Sequence, residues 1–353
     1  MLVRIKLLPN ETEAQFNALN HQPENNDHIA NYILEHNGQL PPQPMFEKHP
    51  YLDDFELQNF DKYIIGTFPP ISYAYDHPLL VQNGIGQNQL PQIPAFHGNM
   101  GSMWKYFFNE NELNELQDIV NQGLRIEARD YIYGKLRHLK INYSDIIKYT
   151  RRTKYNANDD GLRNITPNLD LIVQILNNPK AKYLNFNSST LFNNPNIGFG
   201  VIANNHGQNI AGNLKEEPKS LNLFLVTLQK LGFKLELGLP NGEYYSINQQ
   251  NAVIINNTFK LKVLANLRIS VDFVKIENFE FKNIQREFVL ITSASPAGAA
   301  AIQLAANQIY VNWFANQIAD VQQNQPTIKF RKDMYELFRN NNWEALQAMN
   351  VNL

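Results

Sequence analysis

Three apolar runs in this chain each stop at a sharp turn. KYIIG at 62–66 runs into TFPP, AKYLNF at 181–186 into NSS, and REFVLI at 286–291 into TSASPAG. A strand that is apolar on successive residues has to be covered on both faces, as in a parallel sheet sandwiched by helices. Helical spacing lies between the runs. Leu169, Ile172, Val173 and Leu176 fall on one face, with Thr166 and Pro167 as the predicted start of their helix, and residues 219–232 carry a second such pattern. The predicted fold is therefore α/β: a three-layer α/β/α sandwich with a short, mostly parallel central sheet, plus an N-terminal extension and insertions. Residues 1–50 read as the extension, 51–325 as the α/β domain with an elaboration at about 193–283, and 326–353 as a C-terminal helical tail. Residues 241–285 hold alternating pieces, rich in Tyr, Val and Asn, that find no obvious place.

Composition removes several kinds of chemistry. The chain of 353 residues has no cysteine, which excludes disulfides, Cys-ligated zinc, Fe–S clusters and thiol nucleophiles. Eight histidines are scattered without an HExxH pair, so no metal and no cofactor are expected. Lys and Arg total 31 against 33 Asp and Glu, and this balance carries no global basic field, although a local basic groove stays open. No apolar run approaches the roughly 20 residues of a membrane span, and MLVRIKLLPNETE turns acidic too soon for a secretory signal. A soluble, cytoplasmic protein without a membrane partner is the expectation.

The ends of parallel strands are where ligands bind such sheets, so the three turns are expected to crowd one edge. In GTFPP, Gly66 permits a close backbone approach or a positive φ, while Pro69 and Pro70 fix φ. The result is a rigid ledge with Phe68 and exposed carbonyls at its rim, or simply a stiff turn with Phe68 in the core. In TSASPAG, Ser293 and Ser295 precede a predicted helix whose first N–H groups suit an anion, and Ala297 and Gly298 allow a phosphate near; an ordinary Ser-Pro N-cap has the same letters. In FHGNMGSMWKYF, Asn99 stands between glycines and aromatics, either as a pocket amide or as a turn former. SDIIKYTRRTK places Asp145 at a strand end and cations at 151, 152 and 154, to be read as a solvated basic face or as phosphate contacts.

Taken in order, GTFPP, GNMGSMW and SASPAG resemble motifs of the uracil-DNA glycosylase superfamily, nearest its mismatch-specific and hypoxanthine-type branch. INYSDIIKYTRR and AKYLNFNSS resemble the intervening strands of that family, and the resemblance spans about 58–192 and 284–320. It implies a monofunctional, metal-free DNA glycosylase that flips a nucleotide and cleaves its N-glycosidic bond. The implied base pocket is Gly66, Thr67, Phe68, Pro69, Asp145 and Asn187, with Phe68 as shelf and Asn187 as edge reader. The implied DNA-phosphate loop is Ser293, Ser295, Pro296, Ala297 and Gly298. Many branches place a water-holding acid or amide where this chain has Phe68; the resemblance moves that role to Asn99. The final motif has Ser293, Ala294 and Ser295 where strong uracil enzymes have His. The implied partner is damaged or mismatched DNA. A second reading is a glycosylase-fold module that binds nucleic acid or a nucleotide without cutting it. An unrelated hydrolase is disfavoured by the absence of G-x-S-x-G, Walker and GxGxxG motifs.

Overall fold

The computed structural model describes residues 3–8, 10–12, 14–15, 23–74, 93–96, 98, 100, 103–155, 159–187, 214, 216–238, 242–247, 264–293, 311–313, 315 and 326–349. The first part of the chain gives helix α1 (Asp27–Glu35), strands β1 (Met45–Lys48) and β2 (Lys62–Gly66), and short helices α2 (Ile71–Ala74) and α3 (Trp104–Phe107). Helices α4 (Glu110–Asn121) and α5 (Arg125–His138) lead to β3 (Ile141–Asp145), β4 (Ile147–Arg152), β5 (Leu162–Pro167), α6 (Leu169–Asn177) and β6 (Tyr183–Phe186). Then come α7 (Ser220–Lys230), β7 (Lys234–Gly238), β8 (Tyr244–Ser246), β9 (Leu264–Ile276), β10 (Phe279–Thr292), α8 (Pro326–Arg339) and α9 (Trp343–Ala348).

The fold is α/β, but its main sheet is mixed. Seven strands lie in the order β3-β2-β6-β10-β9-β7-β8. The first four are parallel neighbours, and the remaining pairings are antiparallel. The mostly parallel sheet predicted from the sequence is thus half of the observed one. The reason lies in 264–292, where β9 and β10 are joined by the two residues Glu277 and Asn278, with Glu277 at φ 53°. So short a connection can only reverse the chain and make an antiparallel pair. A second, antiparallel sheet in the order β1-β4-β5 stands beside the first.

Helices meet both faces of the parallel half. On one face Lys62 Nζ donates to the Arg339 carbonyl at 3.1 Å, and Tyr183 stacks on Trp343 at 3.7 Å. On the other, Asn178 Nδ2 donates to the Tyr63 hydroxyl at 2.9 Å, and Phe186 packs against Phe224. Arg286 of β10 closes the end of α6 by donating to the carbonyls of Leu176, Asn178 and Ala181. This satisfies carbonyls that a helix terminus otherwise leaves open. The start of α6 differs from the sequence-based expectation. β5 runs through Thr166 and Pro167 as an edge strand, where a missing N–H is tolerated, and Asn168 is the N-cap, accepting from the Leu171 N–H. α4 begins with a full capping box between Asn109 and Glu112. Segments near the start and the end of the described residues both join this core: Ile5 bridges to Ile165, and Phe330, Met334, Tyr335 and Phe338 of α8 are buried.

Candidate functional site

In chain order the four parallel strands stand second, first, third, fourth. The chain therefore leaves β2 towards one side and returns on the other at β6. A topological switch point of this kind opens a crevice beyond the strand C-termini, between the ends of β2 and β6. Gly66 pairs with Asp145, Ile65 with Phe186, and Phe186 with Thr292. One residue further on, the Asn187 N–H donates to the Ile65 carbonyl at 3.1 Å and the Ser293 N–H to that of Phe186 at 3.2 Å. Asp145, Gly66, Asn187 and Ser293 thus form one row across four strands. Because side chains alternate along a strand, the row shares its face with Tyr143, Ile64 and Asn185.

The row is polar and buried. Ser293 Oγ donates to Asn185 Oδ1 at 2.7 Å, while Asn185 Nδ2 is buried with no hydrogen-bond partner among the described residues. Asn187 Oδ1 accepts from the Tyr335 hydroxyl at 3.2 Å, and Asn187 Nδ2 faces Met103 Sδ at 3.3 Å. Burial pushes the phenols of Tyr143 and Tyr335 up, so both stay protonated donors at neutral pH. Tyr335 arrives from α8, and no spacing or motif in the sequence connects it with the strand ends.

Gly66 is required by a close approach rather than by a positive φ. A Cβ placed on it would lie 2.0 Å from Asp145 Oδ1 and 3.3 Å from the Tyr143 hydroxyl. The carboxylate of β3 therefore leans across onto the end of β2. Its other oxygen, Oδ2, is 2.9 Å from Nε2 of His49, whose side chain is fully covered. His49 Nδ1 accepts the Tyr51 N–H at 3.1 Å, which leaves Nε2 to carry the proton and donate to Asp145. Nothing local in the sequence marks His49: the MFEK stretch before it puts two apolar residues before two charged ones and does not alternate.

The GTFPP turn is held from behind. The carbonyls of Gly66 and Thr67 accept from Ile146 and Ile147, that of Pro69 from Arg152 Nη2 at 3.0 Å, and that of Pro70 from Ala74. Of the rim of exposed carbonyls predicted for this turn, these four are used internally. Phe68 is 6% exposed and packs edge-on to His49, with the Arg152 guanidinium 5.6 Å from its ring centre. Arg152 is neither solvated nor free for a phosphate, because Glu47 of β1 binds it at 2.7 Å and both side chains are buried. Arg151 pairs with Glu11 at 3.5 Å.

Asn99, Ser295, Pro296, Ala297 and Gly298 lie outside the described residues, as does the helix predicted after Pro296. A cavity of about 330 Å³ borders His49 and is lined also by Asn25, Asp27, Ile33, Lys48, Asp53 and Ala74 among others. Among the described residues no cluster of His, Asp or Glu is placed to hold a metal ion, and no helix is long and apolar enough to cross a membrane. No protein-family model, no curated protein and no solved structure matches this chain significantly.

Proposed function

We propose that this chain is a DNA glycosylase that hydrolyses the N-glycosidic bond of a deaminated or mismatched base, uracil or hypoxanthine, within a three-layer α/β domain of the uracil-DNA-glycosylase kind. The observation that carries the reading is the single row Asp145–Gly66–Asn187–Ser293 at the switch point. Three strand ends identified separately from sequence contribute to it, on one face. A flipped base needs polar groups on its edge and exclusion of water. The amides and hydroxyls of Asn187, Ser293 and Tyr335 supply donors and acceptors of that sort. In this reading Asn99 orients the attacking water and the turn from Ser293 to Gly298 clamps DNA phosphate.

The test is base release from duplex oligonucleotides containing uracil, hypoxanthine, xanthine or mismatched thymine. Free base and an abasic site are expected from at least one, and Asn99→Ala should abolish release. Retained activity in that variant would remove Asn99 from the mechanism.

The burial of Phe68 favours a second reading, since the first turn then offers no water-holding side chain. In that reading the domain binds nucleic acid or a nucleotide without cutting it. Damaged-duplex binding that weakens with salt, with no base released from any substrate, would decide for it.

A further inference from the structure

Resting on the glycosylase reading, we propose that Asp145 is the carboxylate that takes the proton of the attacking water, and that His49 is the residue that positions it. The first turn lacks a water-holding group, yet a carboxylate from the neighbouring strand reaches over the residue that opens it. Asp145 Oδ1 lies so close above Gly66 that no side chain can stand there. Among the described residues Oδ1 accepts no hydrogen bond, whereas Oδ2 is engaged by His49. The imidazole is itself fixed: Nδ1 takes the Tyr51 N–H, and Phe68, Phe96 and Tyr51 pack around the ring. An imidazole whose two nitrogens are both engaged within the fold does not reach substrate; what it can do is hold one rotamer of Asp145.

The remaining oxygen stands at the switch point, in the row with Asn187 and Ser293. In the step assigned to it, the C1′–N bond breaks and its electron pair leaves with the base. A water oxygen bonds to C1′, and the water's proton passes to Asp145 Oδ1 and from there to solvent. The carboxylate's charge also faces the cation that develops on the sugar, which favours the same transition state. The groups that face Asp145 are His49, the Tyr143 phenol and, one contact further behind Phe68, the Glu47–Arg152 pair. The N-terminal segment, which the family motifs do not include, thereby supplies a working part of the site: β1 carries Glu47, and His49 follows it directly.

The experiment is single-turnover base release by the full chain, on whichever base the wild type excises. Asp145→Asn should slow release at least ~100-fold, the usual share of a general base, with affinity for an abasic-site duplex unchanged. His49→Ala should slow release by about 10-fold or more through misplacement of Asp145, in kcat and not in KM. His49→Gln, whose amide nitrogen can still donate to Oδ2, should recover most of that loss. Where Asp145→Asn does not fold, Gly66→Ala displaces Oδ1 while keeping its charge and should slow release comparably. Wild-type rates in folded Asp145→Asn would overturn the role of Asp145 and leave the glycosylase reading standing. Equal losses in His49→Ala and His49→Gln would reduce His49 to packing and overturn its role. No base release by the wild type on any substrate would overturn both the reading and this step.

Discussion

The two halves of the seven-stranded sheet spend their polar residues differently. In the antiparallel half, charged side chains stand on the outer surface and buried positions are apolar: Arg268 reaches Glu236 and Glu287 in the open, while Leu235, Leu237, Leu267 and Ile269 are inside. In the parallel half, polar side chains are buried at the strand ends, with Asp145, Asn185, Asn187 and Ser293 all nearly inaccessible. Burying a polar group costs free energy unless it is fully paired. A chain that accepts this cost along one row, and leaves the buried Asn185 amide nitrogen without a described partner, gives up stability where parallel strand ends converge. The antiparallel half extends the sheet; the parallel half buries polar groups at the ends where the proposed site lies.

The largest effect should come from the ion pair behind the first turn. Glu47 and Arg152 are buried together, and Arg152 also holds the Pro69 carbonyl. Removing one partner strands a charge in the interior. Arg152→Met should therefore cost about 3–5 kcal/mol in denaturant unfolding. The double variant Glu47→Met, Arg152→Met should lose clearly less than either single change. A double variant as damaged as the singles would show that packing, not charge, fixes the turn.

Next is Gly66→Ala. The added methyl would meet Asp145 Oδ1 at 2.0 Å, and His49 leaves the carboxylate little room to retreat. The expected loss is about 1–3 kcal/mol, typical of overpacking. In a cycle with Asp145→Ala the two losses should not add, because removing the carboxylate removes the clash. Additive losses would mean that Gly66 is needed for some reason other than Asp145.

The polar row should yield stability when its polarity is removed. The pair Asn185→Leu, Ser293→Ala deletes an amide whose nitrogen lacks a described partner and the hydroxyl bonded to its oxygen. A gain of about 1 kcal/mol is expected, with loss of any base-release activity. A loss of stability instead would mean that the row contributes to holding the fold, and its residues would no longer mark a site.

How much of this was readable beforehand follows from the range of each interaction. The ends of β2, β6 and β10 were legible because apolar runs and stiff turns are local signals. So was the burial of Leu169, Ile172, Val173 and Leu176, which helical periodicity places on one face. The hairpin of β9 and β10 was hidden, since its turn, Glu277–Asn278, has neither glycine nor proline to announce it. His49 and Tyr335 were hidden for a different reason. Each reaches the strand ends through tertiary packing, from 96 residues before Asp145 in one case and 148 beyond Asn187 in the other. Arg152 sat in a basic run, and nothing in TRRTK says that its partner is a glutamate on a strand 105 positions away.

The smallest effect, and the control for the rest, belongs to the antiparallel half. Arg268 lies 3.7 Å over the Tyr244 ring and within 3.5 to 4.0 Å of Glu287 and Glu236, the same residue types that hold Glu47 and Arg152 together. The difference is solvent: these side chains stay about one-third or more exposed, where water and salt weaken the attraction and mobile side chains lose entropy when paired. Arg268→Met should therefore cost only about 0.5–1 kcal/mol, part of it the contact with the ring. Near 1 M salt, with a screening length of roughly 3 Å, most of the ionic share should vanish. The loss in Arg152→Met should barely respond to the same salt, because counterions do not reach the buried pair. Equal salt responses in the two variants would mean that the Glu47–Arg152 pair behind the first turn is no better shielded from solvent than the outer face of the antiparallel half.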